Sequence, residues 1–396
     1  MLFEQKIFVP QKIREHPFDF WNEIKNLDCF SIVNRKDNLE FSKNPRLKKW
    51  MTHKNFLILG TGGSCLGGQC IRSISPDIAK NVKFINNLDP STLRREFSEI
   101  NPKETGLLCI SKSGETLETI VQTLLAVDFI ESFGNPEDKF VILTENKPSP
   151  LMEIAKYFNF LCLEHPSTIG GRFSVFSTVG MLPAMLCGIN PEEILEGGRK
   201  ILDNFEHSIE KIEEGARFVA DQFYSGFSQH VSFIYADKLL CFGAWLAQLY
   251  GESSGKSGSG ITPLTAIGSV DQHSQLQLYL HGKRDKCFTF FLEKQKSELK
   301  IHGKFMPKDF AYLDGRKVID IFEAQYSATA ASILEKGCGL RKIEIPEITS
   351  EILGALFMHF MLEVVCVCKL TEVNPFDQPA VEQGKIITQE ILKGQR

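Results

Sequence analysis

From Asn55 onward the chain alternates short apolar runs with amphipathic segments, and this alternation narrows the fold more than any other feature. NFLILG (55–60), VKFINNLD (82–89), GLLCIS (106–111) and KFVILTE (139–145) each read as a strand. Helical patterns separate them, among them TLRREFSEI, for which Ser91 is the expected cap, and TLETIVQTLLAVDFIESF. A second series follows: VSFIYA (231–236), ITPLTAIG (261–268), CFTFFLE (287–293) and RKIEIPE (341–347), again with helices between. Apolar strands in alternation with amphipathic helices predict a parallel sheet covered on both faces. The doubling predicts two α/β sandwiches in tandem. The expected boundaries are an N-terminal extension at 1–44, a first domain at 45–190, a helical connection at 191–228 and a second domain at 229–396.

Length and composition agree with two ordinary cores. The 396 residues exceed what one core usually serves, and 43% hydrophobic with 24% charged residues is a globular balance. A net charge of −4 and the lack of any basic run argue against nucleic-acid binding. The eleven cysteines are scattered, and Cys366 and Cys368 are poorly spaced for a shared metal, so free thiols in a reducing cytoplasm are expected. No signal peptide is evident at the start, and no segment is expected to reach the roughly 20 apolar residues of a membrane span.

The chemistry-bearing residues fall where a strand gives way to a helix. GTGGSCLGG (60–68) can turn backbone N–H groups toward an anion at a helix N-terminus. It misses the dinucleotide fingerprint because Cys65 stands where the third glycine belongs, although Asp89 ends the next strand where a ribose-binding acid would sit. In SKSGETLET, the hydroxyls of Ser111, Ser113 and Thr116 surround Gly114 in one turn. Helix capping accounts for one such hydroxyl; three with a glycine suit a phosphate. Arg172 follows Gly170–Gly171 at the start of another helix.

QLYGESSGKSG (248–258) resembles a P-loop but has three residues, not four, between Gly251 and Gly255, and a helix rather than a strand precedes it. Its informative pair is Gln248 and Glu252, four apart and so on one helix face. A carboxylate at a helix C-terminus meets an unfavourable dipole, a position a general base takes more readily than a structural group. His273 lies in a polar turn, VDQHSQ, and Lys385 follows the proline-stiffened NPFDQP, seven residues after Gln378.

Taken in order, GTGGSCLGG, SKSGETLET, IGGRFSVFSTVG, QLYGESSGKSG, GSVDQHSQLQ and NPFDQPAVEQGK resemble the phosphoglucose isomerase family over about residues 55–390. The resemblance implies two sugar-isomerase (SIS) domains, each a parallel sheet between helices, and interconversion of glucose 6-phosphate and fructose 6-phosphate. It implies that Glu252 moves the proton between C2 and C1, that His273 and Lys385 serve ring opening, and that Arg172 stabilises the cis-enediolate. Gly63, Ser64, Ser111, Lys112, Ser113 and Thr116 would hold the phosphate, and Gln248 and Gln378 would contact the rest of the sugar. No cofactor and no metal are expected, since a carboxylate and a fixed cation suffice for the proton transfer. The expected assembly is a homodimer with His273 reaching the neighbouring site. A non-catalytic sugar-phosphate sensor would keep the hydroxyl cradle and lose Glu252, His273 and Lys385, all of which remain here. Three residues depart from the family pattern, Cys65, Val270 and Glu115, and the sequence leaves open their effect on affinity and whether Cys65 or Val270 makes the enzyme thiol-sensitive.

Overall fold

The computed structural model describes residues 2–9, 21–79 and 81–395, with side chains throughout these except at 205–207. Ten strands are present among the described residues: β1 (Glu4–Phe8), β2 (Asn55–Leu59), β3 (Val82–Ile85), β4 (Thr105–Ile110), β5 (Phe140–Thr144), β6 (Leu161–Glu164), β7 (Gln229–Tyr235), β8 (Thr262–Ile267), β9 (Lys286–Glu293) and β10 (Leu340–Ile345). The first sheet has the order β3-β2-β4-β5-β6 and is parallel throughout. The second has the order β1-β10-β9-β7-β8, parallel except for β1, which runs antiparallel to β10. Strands β4 and β9 are buried at every position, which is why they read as mostly apolar runs rather than alternating ones, with Thr289 the polar residue inside β9. The expected α/β architecture, two parallel sheets flanked by helices, is therefore what the chain adopts.

Strand order reverses once in each sheet. After β2 the chain crosses to β3 on one side and returns to β4 on the other; β7, β8 and β9 repeat the pattern. Such reversals open a crevice at the carboxyl ends of the two central strands. The turns after β2 and β4 hold GTGGSCLGG and SKSGETLET, so both motifs border the crevice of the first sheet.

The structure amends several sequence expectations. Part of the N-terminal stretch joins the second sheet as edge strand β1, whose EQKIF is too short and too charged to stand out; positions 10–20 of that stretch lie outside the described residues. The four-residue β6 was not foreseen either, its alternation being too brief to register. Asp89, not Ser91, caps the helix Pro90–Glu99, accepting the Thr92 N–H at 2.8 Å, so this acid has a local structural task.

One helix, Ser350–Leu370, is long and apolar enough to cross a membrane, with mean hydropathy 1.9, contrary to the expectation that no segment would be. Its most apolar stretch is 89% buried inside the protein. It packs against the helices Pro191–Asp203, Phe205–Tyr224 and Leu240–Ser254 as the central member of the core. The same helix carries Glu363, which pairs with Arg341 at 2.7 Å, both side chains fully buried. Tyr250 of the helix Leu240–Ser254 donates to the other oxygen of Glu363. Burial alone would raise the Glu363 carboxyl, but Arg341 and His359 outweigh it and hold it at about 2.

Candidate active site

Glu252 lies in the last turn of the helix Leu240–Ser254, and its carboxylate is held from two directions. Gln248 Nε2 donates to Oε1 at 2.9 Å, as the four-residue spacing predicts. Arg172 Nη1 donates to Oε2 at 3.2 Å. Arg172 arrives from the turn Gly171–Phe176 that follows β6, and it is only 2% exposed. Every guanidinium nitrogen has an acceptor: Nε bonds Ser253 Oγ at 2.8 Å, Nη1 also reaches Gln378 Oε1, and Nη2 bonds the carbonyls of Pro375 at 2.6 Å and Asp377 at 3.1 Å. Burial lowers the Arg172 pKa from its ordinary value, and Glu252 opposes that shift. Gln248, Glu252, Arg172 and Gln378 thus form one cluster, beside a cleft of about 530 Å³ lined by Glu252, Lys256, Asn374, Asp377 and Gln378.

The turn after β2 touches this cluster. A Cβ at Gly63 would lie 2.3 Å from the Gly171 carbonyl carbon and 2.8 Å from the Arg172 nitrogen, so only glycine allows the contact. Gly62, at φ +55, abuts Gln248 in the same way. The Ser64 N–H is committed to Thr61 O at 3.2 Å, leaving its hydroxyl for other work.

Beside it, the turn after β4 is already folded into a cradle. Ser111 Oγ donates to Thr116 Oγ1 at 2.9 Å and accepts the Gly114 N–H at 3.1 Å, while Ser113 Oγ accepts the Glu115 N–H at 3.1 Å. Thr116 occupies the N-cap position of the helix Leu117–Glu131, yet its side chain makes no capping bond. Simple capping therefore does not account for it, and the cradle opens toward the positive end of a 15-residue helix. Lys112 is turned toward Glu145, at 3.7 Å, and Glu145 is shared with Lys147 at 2.6 Å.

His273 stands apart from the Glu252 cluster within this chain. Glu252 lies at the end of the helix that leads into the amino end of β8, and Gly251 sits against Pro263 there. His273 follows the carboxyl end of the same strand, in an exposed turn held by Asp271, which accepts the Ile267 N–H at 2.6 Å. Six strand residues at about 3.3 Å each separate the two ends by roughly 20 Å. Lys385 projects from the exposed helix Glu382–Leu392 and pairs with Glu382 at 2.7 Å.

The departures from the family pattern resolve unevenly. Cys65 is fully buried, its thiol donates to Gly60 O at 3.1 Å, and burial pushes its pKa up to about 12. A thiol so buried and so little ionised argues against thiol sensitivity at Cys65. Val270 is 62% exposed at the start of the His273 turn, and Glu115 is exposed at the cradle's rim. Sequence reasoning missed Ser253, which anchors Arg172, and Lys256, which it set aside with the P-loop likeness. Among the described residues, no three His, Cys, Asp or Glu side chains are grouped to hold a metal.

Comparison with known proteins agrees with this arrangement. Residues 48–396 match the family model described as phosphoglucose isomerase. The chain is 33% identical over 376 residues to a glucose-6-phosphate isomerase of Methanocaldococcus jannaschii, covering 94% of this chain and 92% of that protein. It is 33% identical over 346 residues to a probable glucose-6-phosphate isomerase of Haloarcula marismortui, covering 86% of this chain and 79% of that one. A crystal structure of a hypothetical protein from Thermus thermophilus superposes with a TM-score of 0.84 at 26% identity, covering 93% of this chain and 92% of the other. With the family model spanning most of the sequence, two relatives aligned over most of their length, and the strand-end cradle beside a paired carboxylate, the chain belongs to the phosphoglucose isomerase family.

Proposed function

We propose that this protein is an aldose–ketose isomerase that interconverts D-glucose 6-phosphate and D-fructose 6-phosphate, a step of glycolysis and gluconeogenesis. The observation that carries this is the Glu252 carboxylate, fixed by Gln248 and Arg172 beside a ready-made hydroxyl cradle. Ser111, Ser113 and Thr116, with Ser64, the Gly63 turn and Lys112, hold the phosphate. That remote binding holds the open-chain sugar in reacting geometry. Glu252 takes the C2 proton and returns it to C1 while hydrogen passes between O1 and O2. Negative charge grows on the cis-enediolate oxygens as the proton leaves, and Arg172 supplies fixed positive charge there without having to reorganise. Gln248 and Gln378 orient the remaining hydroxyls.

Ring opening requires an acid and a base at the ring oxygen and the anomeric hydroxyl, and His273 with Lys385 serve it. Because Glu252 and His273 sit at opposite ends of β8, the imidazole used at each site is His273 of the partner subunit in a homodimer. Nothing in the sequence of steps calls on redox chemistry or a metal. The free state of all eleven cysteines suits a reducing, cytoplasmic setting. The deciding experiment is a set of initial rates on glucose, mannose and glucosamine 6-phosphates, with and without chelator. Rapid formation of fructose 6-phosphate from glucose 6-phosphate, unchanged by chelator, is expected. Faster turnover of either other sugar would reassign the substrate, and binding of fructose 6-phosphate without turnover would make the protein a sensor.

A further inference from the structure

Lys256 belongs to the stretch that mimics a P-loop, but its ammonium does not face a phosphate site. Nζ donates to the carbonyl of Ser253 at 2.9 Å and to the carbonyl of Asn374, and it pairs with Asp377 Oδ1 at 2.9 Å. An ammonium has three N–H donors, so these partners use them all. The side chain is only 11% exposed. The Ser253 carbonyl belongs to the last turn of the helix that carries Glu252, where a cation is electrostatically favoured. Lys256 therefore ties the end of that helix to the loop 374–378 near the C-terminus.

The same loop supplies three of the acceptors around Arg172: the carbonyls of Pro375 and Asp377 and the side chain of Gln378. Arg172 and Lys256 also grip one residue in common, Ser253, through its hydroxyl and its carbonyl respectively. Two cations from distant parts of the chain thus clamp one loop against one helix end. If Lys256 let go, the loop would loosen and Arg172 would lose acceptors. A buried guanidinium with freed N–H groups would tighten on Glu252, which it already touches at 3.2 Å, and hold more firmly the carboxylate that must accept a proton.

We propose that Lys256 is a positioning residue for the isomerisation: it pins the loop 374–378 so that Gln378 and Arg172 stay aimed at the sugar and Arg172 draws no closer to Glu252. This inference rests on the isomerase assignment above. It separates Lys256 from the phosphate cradle, which is built by the turns after β2 and β4.

The test is the kinetics of the full-length Lys256→Met and Lys256→Arg variants, with inorganic phosphate as a competing ligand. For Lys256→Met a fall in kcat of about 10²-fold is expected, the scale of an ångström-level misplacement, with KM and phosphate inhibition within about threefold of wild type. Lys256→Arg, which keeps the charge and several donors, should recover most of kcat. Should Lys256→Met fold poorly, Asp377→Asn at the exposed end of the same contact gives the second measurement. It should lower kcat by about tenfold, a lost charge-assisted bond, and add little when combined with Lys256→Met. A Lys256→Met enzyme with unchanged kcat would overturn the proposal, as would a rise in KM and weaker phosphate inhibition at constant kcat, or full additivity with Asp377→Asn. A wild-type protein without isomerase activity would instead sink the underlying assignment, a result distinguishable from any of these.

Discussion

Arg172 and Glu252, eighty residues apart in the chain, meet with Nη1 3.2 Å from Oε2, the arginine buried and the carboxylate partly open to the cleft. The pair sets the proposed base and a fixed cation side by side while both remain hydrogen-bonded. Replacing Glu252 by Gln keeps the shape and the contact with Gln248 but removes the proton acceptor. A loss in kcat of roughly 10²–10⁴-fold is expected, the usual contribution of a positioned base, with KM little changed. Steady-state kinetics on the purified variant checks this, and a near-wild-type rate would remove Glu252 from the role.

The separation of Glu252 and His273 along β8 yields a sharper test of the proposed composite site. Glu252→Gln and His273→Ala homodimers should each be nearly inactive. Unfolded together and refolded, they should form mixed dimers in which one of the two sites regains both native groups. Random pairing then restores roughly a quarter of wild-type activity, as a two-fold symmetric assembly requires. No recovery on mixing, with dimers confirmed by sedimentation, would place His273 in its own subunit's site or outside the chemistry.

The cradle hydroxyls should act on binding more than on turnover. Thr116→Val and Ser113→Ala each remove one hydroxyl, worth about 0.5–1.5 kcal/mol in a neutral bond and up to about 3 with a charged ligand. KM for the sugar phosphate should rise about 3- to 100-fold, with a smaller change in kcat. Because Thr116 makes no capping bond, Thr116→Val should cost no more stability than the about 1–3 kcal/mol of the acceptor it withdraws from buried Ser111. A large drop in melting temperature with unchanged KM would return Thr116 to a structural role.

Two buried histidines make the fold sensitive to acid. Burial lowers His165 to about 4 and His230 to about 3, both from an ordinary value of 6.5. Each is neutral in the folded protein above those values, whereas the unfolded chain takes up a proton below about 6.5. The unfolded state therefore binds more protons, and stability falls as pH drops from about 6.5 toward 3, at up to about 1.4 kcal/mol per pH unit for each group. Glu363, held near 2, adds a loss in the same direction below about 4.5. Denaturant melts between pH 7 and 4 should show this slope, and His230→Gln, which can still reach Thr289, should make it shallower. An unchanged slope would exclude His230 as a contributor.

Much of this was legible in the chain before folding. The buried strands β4 and β9 announce themselves as mostly apolar runs, as a parallel sheet covered on both faces requires. The cradle is equally local, since Ser111, Ser113, Gly114 and Thr116 fold into one turn through contacts no more than five residues apart. Gln248 and Glu252 met as helical spacing dictates. Less regular features escaped: β1 is a short charged edge, and its partner β10 lies more than three hundred residues away. Composition alone marks the helix Ser350–Leu370 as apolar, and only its position among other helices shows what that surface covers.

The sequence by itself determined the repeated α/β pattern, the turns at the strand ends and which side chains are chemically able to carry protons or phosphate. These follow from periodicity and from contacts within a turn or two. Only the tertiary structure decided which of those side chains share a site. It joined Arg172 to Glu252, Ser253 and the loop 374–378, turned Lys112 toward Glu145, and left His273 at the far end of β8 from a residue only about twenty positions away. Distance along a chain predicts proximity only while the backbone stays in one element. Once a strand intervenes, its length sets the separation, and neighbours in sequence become opposite ends of a sheet.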